Sequence, residues 1–583
     1  MRVRLSHLLP LILTFGGFLT ASESHWSFRP LKNVTVPAQV QTGWARTAID
    51  GFILAKLDHE QLSPQPQADR YTLLRRVSAG LTGLPPTPDQ IHAFVHDAQP
   101  DAYERMVNRH LNDPQYGVRW ARHWLDVARF GESDGILNVN GDKIRKNAWR
   151  YRDAVVNAFN MDLPFDQFVR AQLYGPLVEN NRDLEALRRF AHLGTHLQDN
   201  DNPNDRQFHR LDDMVATTGS AFLGLTFGCA RCHDHPVDPM SAKEYYQFTA
   251  FFFDQFDELP MSGKRPVDLV IKEPRVLHKG SWSTPGEPVD PGFLQALMNK
   301  PASHWRKEGR ADLEALGAWM TDTGHGAGMQ LARVIVNRLW HHHFGRGLVK
   351  TPNDFGKLGG RPSHPELLDW LAARLIDHDW RIKSLQRLIL NSAVYRQGAA
   401  SDDRAVAHDA ENKWLWQRRP QRIDAETIRD RLLSVSGRLK TEIGGPSIPI
   451  GNYKSSLPEH PDRFRRSIYL QVNRTAKQAT LSLFDPPNNE KSFGARSTGS
   501  SPDSALFALN SPFSWNLAHH FSKRVQAAAG EAEEKQIRHC YLSALSRPPT
   551  AEEVSIGREL LRIGSLLEYC HIILALNEFI YIQ

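Results

Sequence analysis

The sequence predicts a mainly α-helical protein made of two helical domains. Three observations support this fold class: helical periodicity dominates the apolar pattern, the breaks are rich in proline and glycine, and strand-like runs are few and short. A chain of 583 residues with 41% hydrophobic residues also exceeds what one core usually organises. We therefore expect two domains, 25–258 and 326–583, joined by a Pro/Gly-rich connector at 259–325 that carries a small β element.

The first 22 residues have the pattern of a secretory signal peptide. Arg2 and Arg4 form a positive start, 8–19 is a short apolar stretch, and 20–22 supplies small residues for cleavage. The apolar stretch is too short to span a membrane comfortably, and charges interrupt every later apolar run. We expect an exported protein, periplasmic or loosely surface-associated, without a stable membrane span after cleavage.

Charge gives no support to a nucleic-acid partner. The formal net charge is +6, but Lys and Arg alternate with Asp and Glu along the whole length, so no basic stripe forms. The chain also contains no Gly-rich nucleotide motif, nucleophile elbow or His-Glu-x-x-His zinc motif. These motif-based enzyme classes therefore have no support in the sequence.

The first domain begins with a series of helices. Helical periodicity is clear in five segments, with a rigid Pro-rich break between the second and the third: 49–57, 71–77, 89–96, 103–111 and 116–130.

The fifth of these segments has a polar face that carries Arg122, Asp126 and Arg129 at helical spacing. This face is either an ion ladder that stabilises the helix or a carboxylate held between two arginines. Glu132 and Asp134 follow in a Gly-flanked loop, where we expect them to be freer to meet a ligand.

The most informative motif is Cys229-Ala-Arg-Cys-His233, a C-x-x-C-H run. Two thiols at this spacing can add to the vinyl groups of one haem, and the adjacent His233 can reach the iron as its proximal ligand. Composition alone would produce the run in roughly one such chain in a thousand. The motif therefore predicts one covalent haem c, bound by Cys229, Cys232 and His233.

Two other interpretations of the motif remain open. Cys229, Cys232 and His233, with His235 and Asp238, are residue types that bind zinc, although structural zinc generally uses a second distant ligand pair. A structural or redox disulfide between the two cysteines is the other.

The segments around the motif are compatible with a haem. Residues 213–227 form a helical pattern rich in small residues, ending at Gly228, which would let a planar group approach closely. Ser241 and Glu244 form a capping box that opens a helix rich in aromatic residues. These aromatic side chains would either surround a haem or form ordinary hydrophobic core. Met240 is the nearest sulfur that could occupy the sixth iron position.

The chain resembles the planctomycete-type paired domains of unknown function DUF1549 (PSCyt2) and DUF1553 (PSD1), which are cytochrome c-associated. In the first domain the resemblance rests on Leu81-Thr-Gly-Leu-Pro-Pro-Thr87, Arg122-His-Trp-Leu-Asp-Val-Ala-Arg129, Trp149-Arg-Tyr-Arg-Asp153 and the segment from Ala221 to His235. In the second it rests on Ala332 to Trp340, His343 to Val349, Thr351 to Phe355, His364 to Trp370 and Asn577 to Tyr581.

The resemblance implies little about activity, because the family is largely uncharacterised. Many members carry a separate N-terminal cytochrome c domain, whereas here Trp26-Ser-Phe28 begins the first paired domain almost at once. Any haem is therefore expected at Cys229 and Cys232. Tyr174-Gly-Pro176 and Pro236-Val237 depart from the family pattern of Ala-Gly-Asp and Lys-Phe, which puts a shared substrate in doubt.

The connector and the second domain offer weaker signals. We expect short strands at 267–272 and 275–278, a helix at 331–344 and a strand at 465–471. The tract His341-His-His343 is a poor metal site because its side chains point in different directions around a helix. Polar residues on the loops after the predicted strand form a candidate pocket: Asn473, Arg474, Asp485 and Asn488.

Two cysteines remain near the end of the chain. Cys540 and Cys570 lie on predicted helices and are either bridged or two buried free thiols.

From these patterns we predict a protein with one covalent haem c that acts in periplasmic electron transfer with a redox partner or as a haem-dependent oxidoreductase. In the enzyme version, a carbohydrate is a reasonable substrate, and Asp126, Arg129, His235 and Asp238 are the polar residues expected to face it. The alternative is a non-redox cell-surface or carbohydrate-interacting protein in which the Cys pair is a metal site or a disulfide.

Overall fold

A computed structural model describes residues 25–38, 43–135, 142–175, 184–197, 201–254, 271–449, 460–484, 486–496, 499 and 502–583. The structure is 54% helical with only 4% strand, which confirms the predicted mainly α class with a small β element. Within these residues, no helix is long and apolar enough to cross a membrane. The predicted signal peptide lies outside the described residues.

The part of the chain before the connector is a series of helices: α1 (Ala48–His59), α2 (Arg70–Leu81), α3 (Pro88–Val95), α4 (Ala102–Leu111), α5 (Gln115–Val127), α6 (Trp149–Asn160), α7 (Phe165–Leu173), α8 (Pro203–Thr218) and α9 (Ala242–Ala250). The first five confirm the five predicted segments, except that α5 ends at Val127 and not at residue 130. Capping boxes open α1, α3 and α9, and the third is the predicted pair of Ser241 and Glu244.

Helix α8 continues into a π-helical turn, Gly219–Leu223, and stops at Gly224. Gly224 has a left-handed φ of 58°, and a Cβ there would lie 3.0 Å from the Val334 side chain. The helical pattern predicted to run to Phe227 therefore ends earlier, because the chain must turn closely against a neighbouring helix.

A short antiparallel hairpin follows the first helices. It consists of β1 (Arg275–Leu277) and β2 (Pro285–Pro288). The strand predicted at 275–278 is confirmed, whereas most of the one predicted at 267–272 lies outside the described residues.

Most of the remaining chain is again helical: α10 (Asp312–Thr321), α11 (Gly328–Phe344), α12 (Pro365–Asp377), α13 (Ile382–Asn391), α14 (Ala393–Arg396), α15 (Asp403–His408), α16 (Ala425–Val435), α17 (Ala479–Ser482), α18 (Pro502–Asn510), α19 (Pro512–Ala529), α20 (Glu533–Leu545), α21 (Ala551–Ile563), α22 (Leu566–Ala575) and α23 (Asn577–Ile580). Two short strands, β3 (Gln421–Arg422) and β4 (Tyr581–Ile582), pair antiparallel. Helix α11 confirms the predicted helix at 331–344.

Two hydrophobic cores organise these elements. The larger contains buried residues from Ile49 to Leu470, and the smaller contains Ala79 together with residues from Ile423 to Ile582. The division between the cores does not coincide with the predicted boundary at 326, because helices from both sides of that position share the larger core. Gln330 on α11, for example, donates to the carbonyl oxygen of Leu223, at the end of the α8 segment, at 2.8 Å.

Asp50 shows how tightly the two halves of the chain are joined. Its fully buried carboxylate accepts hydrogen bonds from the backbone N–H groups of Thr47, Ala393 and Val394 at 2.8–3.0 Å. One side chain therefore caps the start of α1 and the start of α14 at the same time.

The strand predicted at 465–471 is wrong. Ser467–Tyr469 form a 3₁₀ turn, and the segment has only isolated bridges with Lys440 and Ile448. The cause is Asp430, whose carboxylate accepts from the backbone and hydroxyl of Ser467, both at 2.7 Å, and from Arg466 at 2.5 Å. A side chain thus binds backbone that would otherwise pair with a neighbouring strand.

Cys540 and Cys570 lie in the smaller core as free thiols. Their sulfur atoms are 3.7 Å apart, farther than a disulfide bond of about 2.05 Å allows. Of the two arrangements predicted for this pair, the structure has the buried free thiols.

Candidate functional site

The C-x-x-C-H run lies on one short turn, which we call the CxxCH turn (Cys229–His233). Its first residues form a 3₁₀ turn, Gly228–Arg231, and Ala230 anchors it in the larger core. Cys229, Cys232 and His233 are all exposed to solvent, and both thiols are free. The turn therefore presents two sulfurs and an imidazole outward from a fixed base.

The orientation of His233 suits metal ligation. Its Nδ1 lies 2.8 Å from the carbonyl oxygen of Asp234. A carbonyl can only accept, so Nδ1 carries the proton and Nε2 keeps a free lone pair. Metal-bound histidines commonly have this hydrogen bond, which fixes the tautomer and the ring.

The walls of the turn are less like a buried haem crevice. Gly280, in the loop of the β1–β2 hairpin, approaches Cys232 closely: a Cβ added to it would lie 2.9 Å from the Cys232 sulfur. The aromatic residues of α9 pack inward: Phe248 contacts Phe227 and Trp319 edge to face. These side chains form core, so a haem on this turn would be mounted at the surface.

The small-residue segment before the turn, residues 213–227, is already in contact with another helix. Gln330 and Arg338 of α11 donate to the carbonyl oxygens of Leu223 and Ser220, both at 2.8 Å. The close approach that we predicted for a planar group is made instead by α11.

The thiol and imidazole donors of the CxxCH turn fit haem attachment. Among the described residues, no group of three or more His, Cys, Asp or Glu side chains is placed to hold a metal ion.

Met240, His235 and Asp238 lie behind the turn. The Met240 side chain belongs to the larger core, whereas His233 is exposed. His235 is buried and accepts from the backbone N–H of Asp238 at 2.9 Å, and Asp238 accepts from the N–H of Lys357 at 2.7 Å. These two polar residues thus join the turn to the second half of the chain.

Asp126, on α5, is held between two arginines, but the second is not Arg129. Arg122 donates to Asp126 from one helical turn away, and Arg496 binds it through Nε at 2.5 Å. Arg496 and Arg122 also bind Glu426, at 2.6 and 2.9 Å. Because both carboxylates are neutralised, this network is suited to holding α5, α16 and the 493–496 segment together.

Arg129 is fully buried with a different partner. Its guanidinium binds Asp213 of α8 at 2.5 Å and the carbonyl oxygens of Phe190 and Ala191. Since Arg129 has φ of 48°, the chain leaves the helical path there and its side chain diverges from that of Asp126.

Glu132 and Asp134 are not free to meet a ligand, contrary to our expectation. Glu132 accepts from Ser447 at 2.7 Å and from the N–H of Val472 at 2.9 Å, and burial raises its pKa. Asp134 binds Arg145 at 2.7 Å.

The loop pocket predicted around Asn473 and Arg474 is likewise filled by its own contacts. The Arg474 guanidinium is buried and donates to the carbonyl oxygens of Arg129, Ser133 and Asn489. Asn488 bonds to Glu490, and Asp485 lies outside the described residues.

A cavity of about 580 Å³ lies beside Asp126, between α2, α5, the end of α11 and the β3–β4 pair. His123 and His342 stack in its wall with ring centroids 3.7 Å apart. Burial lowers the pKa of both; His342 adds to the shift at His123, and His341 adds to the shift at His342. The histidine tract of α11 thus packs against α5.

Two family profiles match the chain. The PSCyt2 profile, a protein of unknown function (DUF1549), matches residues 48–256, and the PSD1 profile, a protein of unknown function (DUF1553), matches residues 313–561. The chain belongs to the DUF1549–DUF1553 family. Comparisons with curated proteins and with solved structures find no match. In this DUF1549–DUF1553 protein, the CxxCH turn lies within the first match, and residues of both matches line the cavity.

The basic residues of the cavity in this DUF1549–DUF1553 chain carry no signal in the sequence. Arg76, Arg418 and Arg496 come from distant parts of the chain, and nothing in their local sequence separates them from exposed arginines. The pattern around Cys229 was visible because all of its members are adjacent in sequence.

Proposed function

We propose that this protein carries one covalent haem c on the CxxCH turn and acts in electron transfer outside the cytoplasm. The observation that carries the proposal is the joint exposure of Cys229, Cys232 and His233 on one anchored turn. Two thiols and a ligand imidazole can meet one haem there without disturbing the core.

In this proposal, each residue of the turn has a separate role. Cys229 and Cys232 hold the haem through thioether bonds, and His233 binds the iron through Nε2. The haem supplies a reversible one-electron iron couple. The carbonyl of Asp234 keeps the His233 ring in the ligating tautomer through the bond to Nδ1.

Electron transfer has more support than catalysis on a bound substrate. A haem at the surface can approach a redox partner directly. The four polar residues predicted to face a substrate are engaged elsewhere: Asp126 by two arginines, Arg129 by Asp213, and His235 and Asp238 in buried contacts. A carbohydrate-oxidising version would have to use other residues.

The test is expression of the full chain, with its own N-terminal segment, in a host that has cytochrome c maturation machinery. We expect a pyridine haemochrome spectrum and an intact mass raised by one haem. Cys229→Ala/Cys232→Ala should lose both signals, and Cys540→Ala/Cys570→Ala, which removes the two buried thiols, should keep them. Folded, colourless wild-type protein would refute the proposal.

The same experiment tests the main alternative. Exposed free thiols with two residues between them also suit a redox disulfide. A colourless product whose mass is lower by two hydrogens, and which regains them on reduction, would assign the turn to dithiol chemistry.

A further inference from the structure

The cavity beside Asp126 has an unusual balance of charge. Nine arginine and lysine side chains line it, against three carboxylates, among the residues that the structure describes. Some of these cations are paired, as Arg496 is with Asp126 and Glu426. Others are buried and have no Asp or Glu partner.

Arg418 is the clearest of these cations. Its side chain is 6% exposed, and its Nη2 donates to the carbonyl oxygen of His343. Its Nε and Nη1 atoms have no acceptor, and no Asp or Glu of the described chain lies within ion-pair distance. The guanidinium lies 5.1 Å from the rings of both Phe344 and Tyr395. A buried charge held only by ring faces and one carbonyl is costly.

Arg76 on α2 lies against the same Tyr395 ring, at 5.7 Å. It is 2% exposed and donates to the main-chain oxygens of Tyr395, Gln397 and Gln583, but its Nη2 has no acceptor. Burial and the nearby Arg76 charge lower the pKa of Arg418 to about 9. Two cations are therefore kept close together in a place where each destabilises the other.

The buried polar atoms without a partner in the cavity wall are all nitrogens, within the described part of the chain. They belong to six lining residues: Arg76, Arg119, His343, Arg418, Gln421 and Arg422. In the five other than His343 these atoms are N–H donors, whereas the neutral His343 ring has one donor and one acceptor nitrogen. Buried polar groups in native proteins are nearly always paired, so these arginine and glutamine donors favour acceptors from outside the chain. An oxyanion supplies several acceptors and a compensating charge together.

We propose that this cavity binds a small organic molecule through an oxyanion group, with Arg76, Arg418 and Arg422 as its main ligands. The cavity volume lies in the range of small-molecule sites, about 300–1,000 Å³, and exceeds what an inorganic ion fills. This site is independent of the CxxCH turn and of the haem proposal.

The first experiment is a thermal-shift titration of the full chain with inorganic phosphate, sulfate and citrate, each compared with sodium chloride at equal ionic strength. We expect at least one of the three oxyanions to raise Tm at millimolar concentration beyond the chloride control. Arg422→Gln should raise the oxyanion concentration that gives half of this Tm shift at least tenfold, because half-buried Arg422 has a free Nη1 in the wall. Arg562→Gln, an exposed arginine of α21, is the matched control and should respond as the wild type does.

Which probe is effective identifies the group: phosphate or sulfate indicates a tetrahedral ester, and citrate alone indicates a carboxylate. Responses no larger than with chloride, or an Arg422→Gln response equal to that of the wild type, would overturn the proposal.

A second variant separates a binding role from a structural one. If Arg418 is kept for a ligand, Arg418→Met should abolish the oxyanion response while leaving Tm in chloride unchanged or higher, because an unpaired buried charge is removed. A lower Tm with an unchanged oxyanion response would show that Arg418 is structural and would contradict the proposal. If this variant does not fold, the Arg422→Gln titration decides.

Discussion

Burial divides the four cysteines into two chemical classes. Cys229 and Cys232 are exposed on the CxxCH turn, whereas Cys540 and Cys570 are fully buried in the smaller core. Burial raises the pKa of Cys540 well above its usual range. Since the thiolate is the reactive form, burial and the raised pKa both disfavour reaction at Cys540, whereas the thiols of the turn are exposed. The residue pair that is chemically available is therefore the pair at the candidate site.

This contrast predicts the reactivity of haem-free protein made without maturation machinery and kept reduced. Two thiols should react quickly with iodoacetamide in the native state, and the other two only after unfolding. Quantitative mass spectrometry of tryptic peptides measures the two rates. Cys229→Ala/Cys232→Ala should show no fast phase, and fast labelling of Cys540 or Cys570 would contradict the structure.

At the scale of elements, single buried side chains join helices and turns that are distant in the sequence. Asp50 binds the starts of α1 and α14, and Asp430 holds the turn at Ser467. Arg496 joins α5 to α16. Each of these contacts brings together segments hundreds of residues apart or separated by a loop, so each fixes tertiary structure.

We expect Asp50→Asn to destabilise the protein by about 2–4 kcal/mol, because one acceptor oxygen becomes an NH₂ that faces buried N–H donors. Circular dichroism melting at neutral pH measures the change as a lower Tm. Asp58→Asn, an exposed site on the same helix, is the control and should melt like the wild type. Equal melting of the two variants would show that the Asp50 contacts contribute little.

Sequence patterns within a few residues predicted most of the helices. The failed strand and the cavity depend on contacts between residues that are distant in the sequence. Helices α1 to α5, the cap at Ser241 and helix α11 follow from periodicity and adjacent residues, which act within a few positions. The strand at 465–471 failed because Asp430, 37 residues before Ser467, binds its backbone. The basic cavity was invisible for the same reason.

At the scale of the whole molecule, many ionisable groups are buried in neutral form. His192, His343 and His364 are almost inaccessible, and burial lowers the pKa of each to about 3. Their free energy of protonation in the folded state is therefore unfavourable at mildly acidic pH. The unfolded chain can protonate them from about pH 6.5 downward.

Stability should therefore fall as pH decreases below about 6.5, where the unfolded form binds more protons than the folded form. Each of these histidines contributes up to about 1.4 kcal/mol per pH unit until its folded pKa is reached. Melting curves at pH 7.5, 6.0 and 5.0 measure the trend. His192→Gln should flatten it and exposed His519→Gln should not, whereas an unchanged Tm down to pH 5.0 would contradict the prediction.

The larger core contains residues from both family matches, with Arg170 bound to Thr321 and Gln330 bound to Leu223 across them. The two matched regions are consequently not interchangeable parts that could be recombined singly with relatives. A chimera would keep its interior only if both regions, with the segment between them, were transferred together. The two matched regions therefore have to evolve together as one structural unit.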